Sequence, residues 1–246
     1  MDVDNLETFF SNVDVYDSYQ NKGKVIIKKQ TDYKISVGLD HKANLVEKAR
    51  KKELYHKFVV ADANLGLPFE NESFESVFSN IIYWLNDPVN VFAEIHRVLR
   101  SEGTCCVMLP APNYLEASFY YTYYIKRGKP EKYKFLELID RGRISDNLKI
   151  VKTYGEWRDI ITKAGFEIMD CIPHLSKSLI QMWDIGLRPI FPMIKKMTMY
   201  LDEKCLMEIK KEWVDLFQKI GEPIIYNEQF HKDEEFCFYC FVLRKR

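Results

Sequence analysis

Between Tyr33 and Pro110, apolar runs of strand length alternate with charged segments of helical period, and this restricts the fold more than any other feature of the chain. The run KISVGLD precedes HKANLVEKARKK, KFVVAD precedes the turn-rich NLGLPFENES, FESVFSNII precedes DPVNVFAEIHRVLRSEG, and TCCVMLP closes the series. The order reads strand, helix, strand, strand, helix, strand. Alternating βα units of this length predict a parallel sheet with helices on both faces, and such sheets hold ligands at the carboxyl ends of their strands. Asp40 and Asp62 stand at two of those ends. An ionised Asp only accepts hydrogen bonds, so two of them suit ribose hydroxyls or an exocyclic amine while a flat ring lies on apolar neighbours.

Taken together, GLD with AR in the helix after it (38–50), DANLGLPF (62–69), SFESVFS (73–79) and the helix end RVLRSEG (97–103) ahead of a strand resemble class I S-adenosylmethionine-dependent methyltransferases. The resemblance is to the small-molecule branch called type 11. Looser echoes follow in EWRDIITKAGFEIMDC (156–171) and in EEFCFYCFVLRKR at the end. The resemblance implies an α/β, Rossmann-like methyltransferase sheet, mostly parallel with an antiparallel last strand near Phe236–Leu243, and S-adenosyl-L-methionine as cofactor. It puts Asp40 on the cofactor ribose with His41 beside it, Asp62 and Ala63 at the adenine end, and Ser79 at the third strand end. His41, opening a helix, reads equally as a solvated residue.

The glycine-rich loop of that family is missing. There, a first strand ends in an acid followed by G-x-G-x-G, because only glycine lets the backbone approach the methionine part of the cofactor closely. The ten glycines here include no two separated by a single residue. The one candidate for the first strand, Gly23–Ile27, is followed by Lys28–Asp32 and then directly by the next strand. A parallel crossover needs about ten or more residues, usually a helix. Three accounts fit: a shortened product that has lost loop and helix, a natural non-catalytic relative, or an irregular strand that keeps cofactor binding. The ordinary flanking sequence favours the first. In this sheet the missing strand belongs at the centre. A nicotinamide-dependent dehydrogenase would need the glycine fingerprint even more strictly, and it leaves LPF and RVLRSEG unexplained.

Candidates for the acceptor side are Tyr16, Tyr19, Tyr83, Trp84 and His174. Tyr16 and Tyr19 lie in VYDSYQ, which resembles the family segment that covers the cofactor and is equally explained by a plain N-terminal helix. Tyr83-Trp84 follows the third strand where amino-methylating relatives carry a Pro-Pro-aromatic step, and both prolines are absent here. Its bland reading is a ring pair packing helix on sheet. His174, after Pro173, is read as lying past a strand end, and His96 as either solvated or a helix–sheet contact. No two histidines stand four apart with a carboxylate, so no metal site is expected.

With 246 residues and 47% hydrophobic content the chain can bury one sizeable core. It reads as a single domain over 1–246, with 113–150 and 176–222 as cap or insertion segments. The second of these reads as two helical stretches broken by LRPIFP and rich in methionine, an adaptable apolar filler. Acidic and basic residues balance at 36 each, which leaves no electrostatic footprint for nucleic acid and makes a small molecule the expected partner. No apolar run reaches the ~18 residues of a membrane span, so no membrane is expected. The acidic MDVDNLETFF carries no secretory signal. Cys105, Cys106, Cys237 and Cys240 fall inside apolar strands and read as inert thiols, which suits a reducing compartment and a cytoplasmic location.

Overall fold

The structure, a computed structural model, describes residues 32–140, 150–187, 190–226 and 236–246. The elements are β1 (Ile35–Asp40), α1 (Ala43–Arg50), β2 (Tyr55–Val60), β3 (Phe74–Ser79), α2 (Pro88–Val98), β4 (Leu99–Pro110), α3 (Asn113–Ala117), α4 (Phe135–Asp140), α5 (Tyr154–Lys163), β5 (Phe166–Ser176), α6 (Lys177–Gln181), α7 (Ile190–Thr198), α8 (Glu203–Tyr226) and β6 (Phe236–Lys245). They confirm the expected α/β class. The described residues fall into two compact units, one built from 32–107, 158–170 and 242–246, the other from the remainder. Strands β4, β5 and β6 contribute residues to both.

In the first unit β1 and β2 pair in parallel, Gly38 opposite Phe58 and Asp40 opposite Val60. β3 and β4 also pair in parallel, Val77 opposite Cys105 and Ser79 opposite Val107. The last strand is antiparallel to β5, as expected: Arg246 N donates to Gly165 O at 3.2 Å while Arg244 reaches Glu167 at 3.9 Å, so numbering falls on one strand as it rises on the other. Strand order is β3-β4-β6-β5, and among the described residues no pairing joins these four to β1-β2. Among the described residues the sheet therefore comes in two pieces, with the gap where the resemblance places its first strand. The candidate for that strand, Gly23–Ile27, lies outside the described residues. The division shows in exposure. Strands of parallel sheets are normally covered on both faces, yet Phe78 on β3 is 62% exposed and Val60 on β2 is 50% exposed.

The core of this unit is Ile82, Phe92, Ile95, Val98, Leu99, Val107, Ile161, Phe166 and Leu243, which the apolar faces of α2 and α5 and the strand alternation supply. His96 is a packing residue, the second of its two readings: its ring meets Phe166 edge-on at 5.3 Å, and a Cβ at Gly165 would lie 2.8 Å from its Nε2. Gly165 also has φ +91°, so glycine is required there twice over. The other unit centres on Trp157, fully buried with Nε1 donating to Pro110 O at 3.0 Å, and on Leu109, Cys237 and Phe241.

Three expectations are corrected. RVLRSEG does not end the helix at Gly103. α2 stops at Val98, and β4 starts at Leu99 through a bulge in which the register jumps from Phe74–Leu99 to Ser76–Thr104. Extended Leu99 ends the helix, and Gly103 allows the tight return, since a Cβ there would sit 2.8 Å from Arg100 O. His174 lies within β5 rather than past a strand end. LRPIFP does not break the helix throughout, because α7 already begins at Ile190 and takes Pro192 into its first turn, where a missing N–H costs no intrahelical bond. The pause falls between Thr198 and Glu203.

Candidate functional site

The carboxyl ends of β1 and β2 lie side by side because the strands pair in parallel through Asp40 and Val60, with Ala61 N donating to Asp40 O at 3.1 Å. Gly38 is needed for packing: a Cβ there would lie 2.9 Å from the Phe58 ring and 3.0 Å from that of Tyr55. Asp40 Oδ1 accepts from Lys42 N at 2.8 Å, which turns the chain into α1, and His41 Nδ1 stands 3.5 Å away. Oδ2 takes no hydrogen bond from the described residues, and the side chain is 42% exposed. One oxygen shapes the loop. The other is open to a ligand.

Asp62 repeats the arrangement one strand over. Its Oδ1 accepts from Asn64 N at 2.9 Å and Asn64 Nδ2 at 3.0 Å, capping a short helical turn at Ala63–Leu65. Asn64 Oδ1 in turn accepts from Asn86 N at 2.8 Å, so the turn is tied to the segment leading into α2. Ala63 is buried, whereas Leu65 is 88% exposed. Ser79 closes β3 with Oγ accepting from Ile81 N at a long 3.4 Å, and Ile81 is itself exposed. Tyr83 and Trp84 follow in a helical turn, half-buried, ring centroids 5.5 Å apart, above the fully buried Ile82.

The LPF step is held by a clamp from α2. Glu94 Oε2 accepts from Leu67 N at 2.8 Å, and Arg97 donates to Leu67 O, Phe69 O and both Glu94 oxygens, each at 2.8 Å. The arginine donors and the Leu67 N–H hold the Glu94 carboxyl down at about 2. Gly66 turns the chain there at φ +100°, and a Cβ would press on Glu94 Oε2 at 3.3 Å. The clamp thus fixes the turn that carries Asp62 and Leu65. Sequence reasoning missed Glu94, Arg97 and Leu65. The recurrence of LPF with the helix end RVLR was the available signal for the clamp.

His174 belongs to the other unit. Its ring lies 5.9 Å from that of Phe238, which meets Tyr114 at 5.0 Å, and neither ring nitrogen has a hydrogen-bond partner among the described residues. Burial lowers its pKa, so it is held neutral. Tyr16 and Tyr19 lie outside the described residues. The aromatic segment after α3 winds one π-helical turn, Tyr120–Ile125, and a second runs over Met182–Leu187; buried Asp184 in the second accepts from Phe119 N at 2.9 Å.

A family described as a methyltransferase domain matches residues 22–107, the segment that contains both aspartates and the clamp. Among solved structures, phosphoethanolamine N-methyltransferase 2 of Haemonchus contortus, solved with S-adenosyl-L-methionine, is 17% identical over 85% of this chain and 43% of its own, with a TM-score of 0.50. The chain therefore spans less than half of that protein. An S-adenosylmethionine-dependent methyltransferase from Mesorhizobium loti is 17% identical over 86% of this chain and 80% of its own, TM-score 0.49. One from Thermotoga maritima, described as a possible histamine N-methyltransferase, is 24% identical over 56% of each chain, TM-score 0.37. No curated protein matches. Residues 22–107, with the paired strand ends they carry, thus match a methyltransferase domain.

Proposed function

We propose that the chain is built to transfer a methyl group from S-adenosylmethionine to a small molecule, with the adenosine side of the cofactor site present and its methionine side incomplete. The observation that carries this is the pair of parallel strand ends on which Asp40 and Asp62 each spend one oxygen on their own loop. Asp40 would hold the ribose and Asp62, beside Ala63, the adenine end, with exposed Leu65 and Ile81 as apolar surface for the flat ring. His41 and Ser79 border the same strand ends. The cofactor supplies an activated sulfonium methyl, so the protein needs chiefly to align donor and acceptor and to exclude water.

Segments 113–150 and 176–222 are kept as cap or insertion segments, and Tyr83, Trp84 and His174 as acceptor-side candidates on sequence grounds. Tyr16 and Tyr19 remain candidates on sequence grounds. A reducing, cytoplasmic setting remains the reading of the six cysteines. A second reading, a methyltransferase-like protein that has lost cofactor binding, is favoured by one observation: no two glycines stand a single residue apart.

Asp40→Ala, made in a form with the glycine loop restored, is expected to weaken S-adenosylhomocysteine binding by roughly 1.5–3 kcal/mol, the scale of a hydrogen bond to a charged group. Asp62→Ala should behave similarly. Titration calorimetry decides it, and unchanged affinity for both variants would remove the ribose and adenine assignments.

A further inference from the structure

An amphipathic helix on a globular protein turns its apolar stripe inward, yet part of that of α7 stands in solvent. Ile190, Met193 and Met197 are spaced i, i+3, i+7, so they share one face, and all three are exposed, Met197 at 77%. Tyr200, in the turn after the helix, is 88% exposed, with Met199 beside it at 59%; Trp183, in the π turn before it, is half exposed. Six large apolar or amphipathic side chains thus stand in solvent within one stretch of chain.

The charges of the same stretch are one-sided. From Trp183 to Leu201 the charged residues are Asp184, Arg188, Lys195 and Lys196. The acid is withdrawn, since Asp184 is 2% exposed and accepts from Phe119 N. Asp202, next along, caps α8 by accepting from Cys205 N at 3.0 Å. Apart from Asp184 the sequence between Trp183 and Leu201 carries cations alone, and Lys196 among them is exposed. Tryptophan and tyrosine flanking an apolar helix face, with lysines beside it, is the composition that settles in the headgroup boundary of a bilayer. Methionine suits such a surface because it adapts to irregular apolar contact. Among the described residues no helix is long and apolar enough to cross a membrane, so the contact would lie on the surface and not span it.

From this we infer that the α7 face docks on an anionic lipid surface. A second copy of the chain is the poorer occupant, because a two-fold contact sets the same patch against itself and brings the lysines of both copies together. The inference rests on exposure and charge, and it is independent of cofactor binding.

The test is co-sedimentation of the full chain with vesicles of phosphatidylcholine alone and of phosphatidylcholine mixed with phosphatidylglycerol. Binding to the mixed vesicles is expected at least about tenfold above that to phosphatidylcholine, and falling as salt rises. Met197→Glu, at a side chain that supports no core, should abolish it; Lys196→Glu should remove the preference for phosphatidylglycerol while leaving circular dichroism unchanged. No binding to either vesicle, equal binding to both, or binding by Met197→Glu equal to that of the parent each overturns the inference. So does concentration-dependent self-association, by light scattering, that Met197→Glu removes while vesicles stay unbound.

Discussion

A form with a strand, a G-x-G-x-G loop and a helix restored between Lys24 and Gln30 is expected to bind S-adenosylmethionine at least about 100-fold more tightly than the 246-residue chain. The loop's contribution is backbone N–H groups brought close to the charged amino-acid end of the cofactor. Each hydrogen bond to a charged group is worth roughly 1.5–3 kcal/mol, and two at the lower bound already give about that factor. The same insertion should raise stability, because it supplies what the divided sheet lacks. β1-β2 and β3-β4-β6-β5 are unjoined among the described residues, and Phe78 and Val60 stand in solvent on strands whose type is normally covered. Equilibrium dialysis with labelled cofactor on both forms, with urea unfolding of each, measures the two effects together. Micromolar binding by the present chain would show that its pocket is built without the loop, and the second reading under the proposed function would fall with it.

How far the sequence carried this is clearest residue by residue. The period-two and period-3.6 patterns between Tyr33 and Pro110 led to β1 to β4, α1 and α2, to the parallel pairing of β1 with β2, and to Asp40 and Asp62 at neighbouring ends. Those features depend on local alternation, which a single chain displays. The start of β4 at Leu99 was hidden because its residues continue the helical pattern, and only the bulge closed by Gly103 reveals the change. Leu65 was invisible as a candidate contact, since a leucine in a turn gives no sign of being 88% exposed. The clamp was signalled only indirectly, by LPF together with RVLR, because Glu94 and Leu67 are 27 residues apart and their bond uses a backbone N–H that leaves no complementary residue type to read. The outward face of α7 was equally hidden, because periodicity shows that a helix has an apolar stripe and not which way it points.

Breaking the clamp is expected to cost as much stability as truncating a buried core side chain of the 32–107 region. Arg97→Ala removes the donors to Phe69 O and Leu67 O and leaves the Glu94 carboxylate, four-fifths buried, with Leu67 N alone. A partly buried charge stripped of its partner costs on the order of 3 kcal/mol. The pH dependence carries its signature. Glu94 titrates at about 2 in the folded chain and near about 4.3 when unfolded. Its stabilising contribution, on the order of 3 kcal/mol, is therefore fully present above about pH 5 and is lost as pH falls toward 2. Urea midpoints of the parent should drop steeply over that window, while Glu94→Gln and Arg97→Ala start lower and drop less. Because the clamp holds the Gly66–Phe69 turn that follows Asp62 and Leu65, Arg97→Ala in the loop-restored form should also weaken S-adenosylhomocysteine binding without touching a ligand contact. A parent and an Arg97→Ala chain with parallel acid profiles would show that the pair contributes little, and that the LPF turn is held by the Phe69–Phe74 ring contact at 4.9 Å instead.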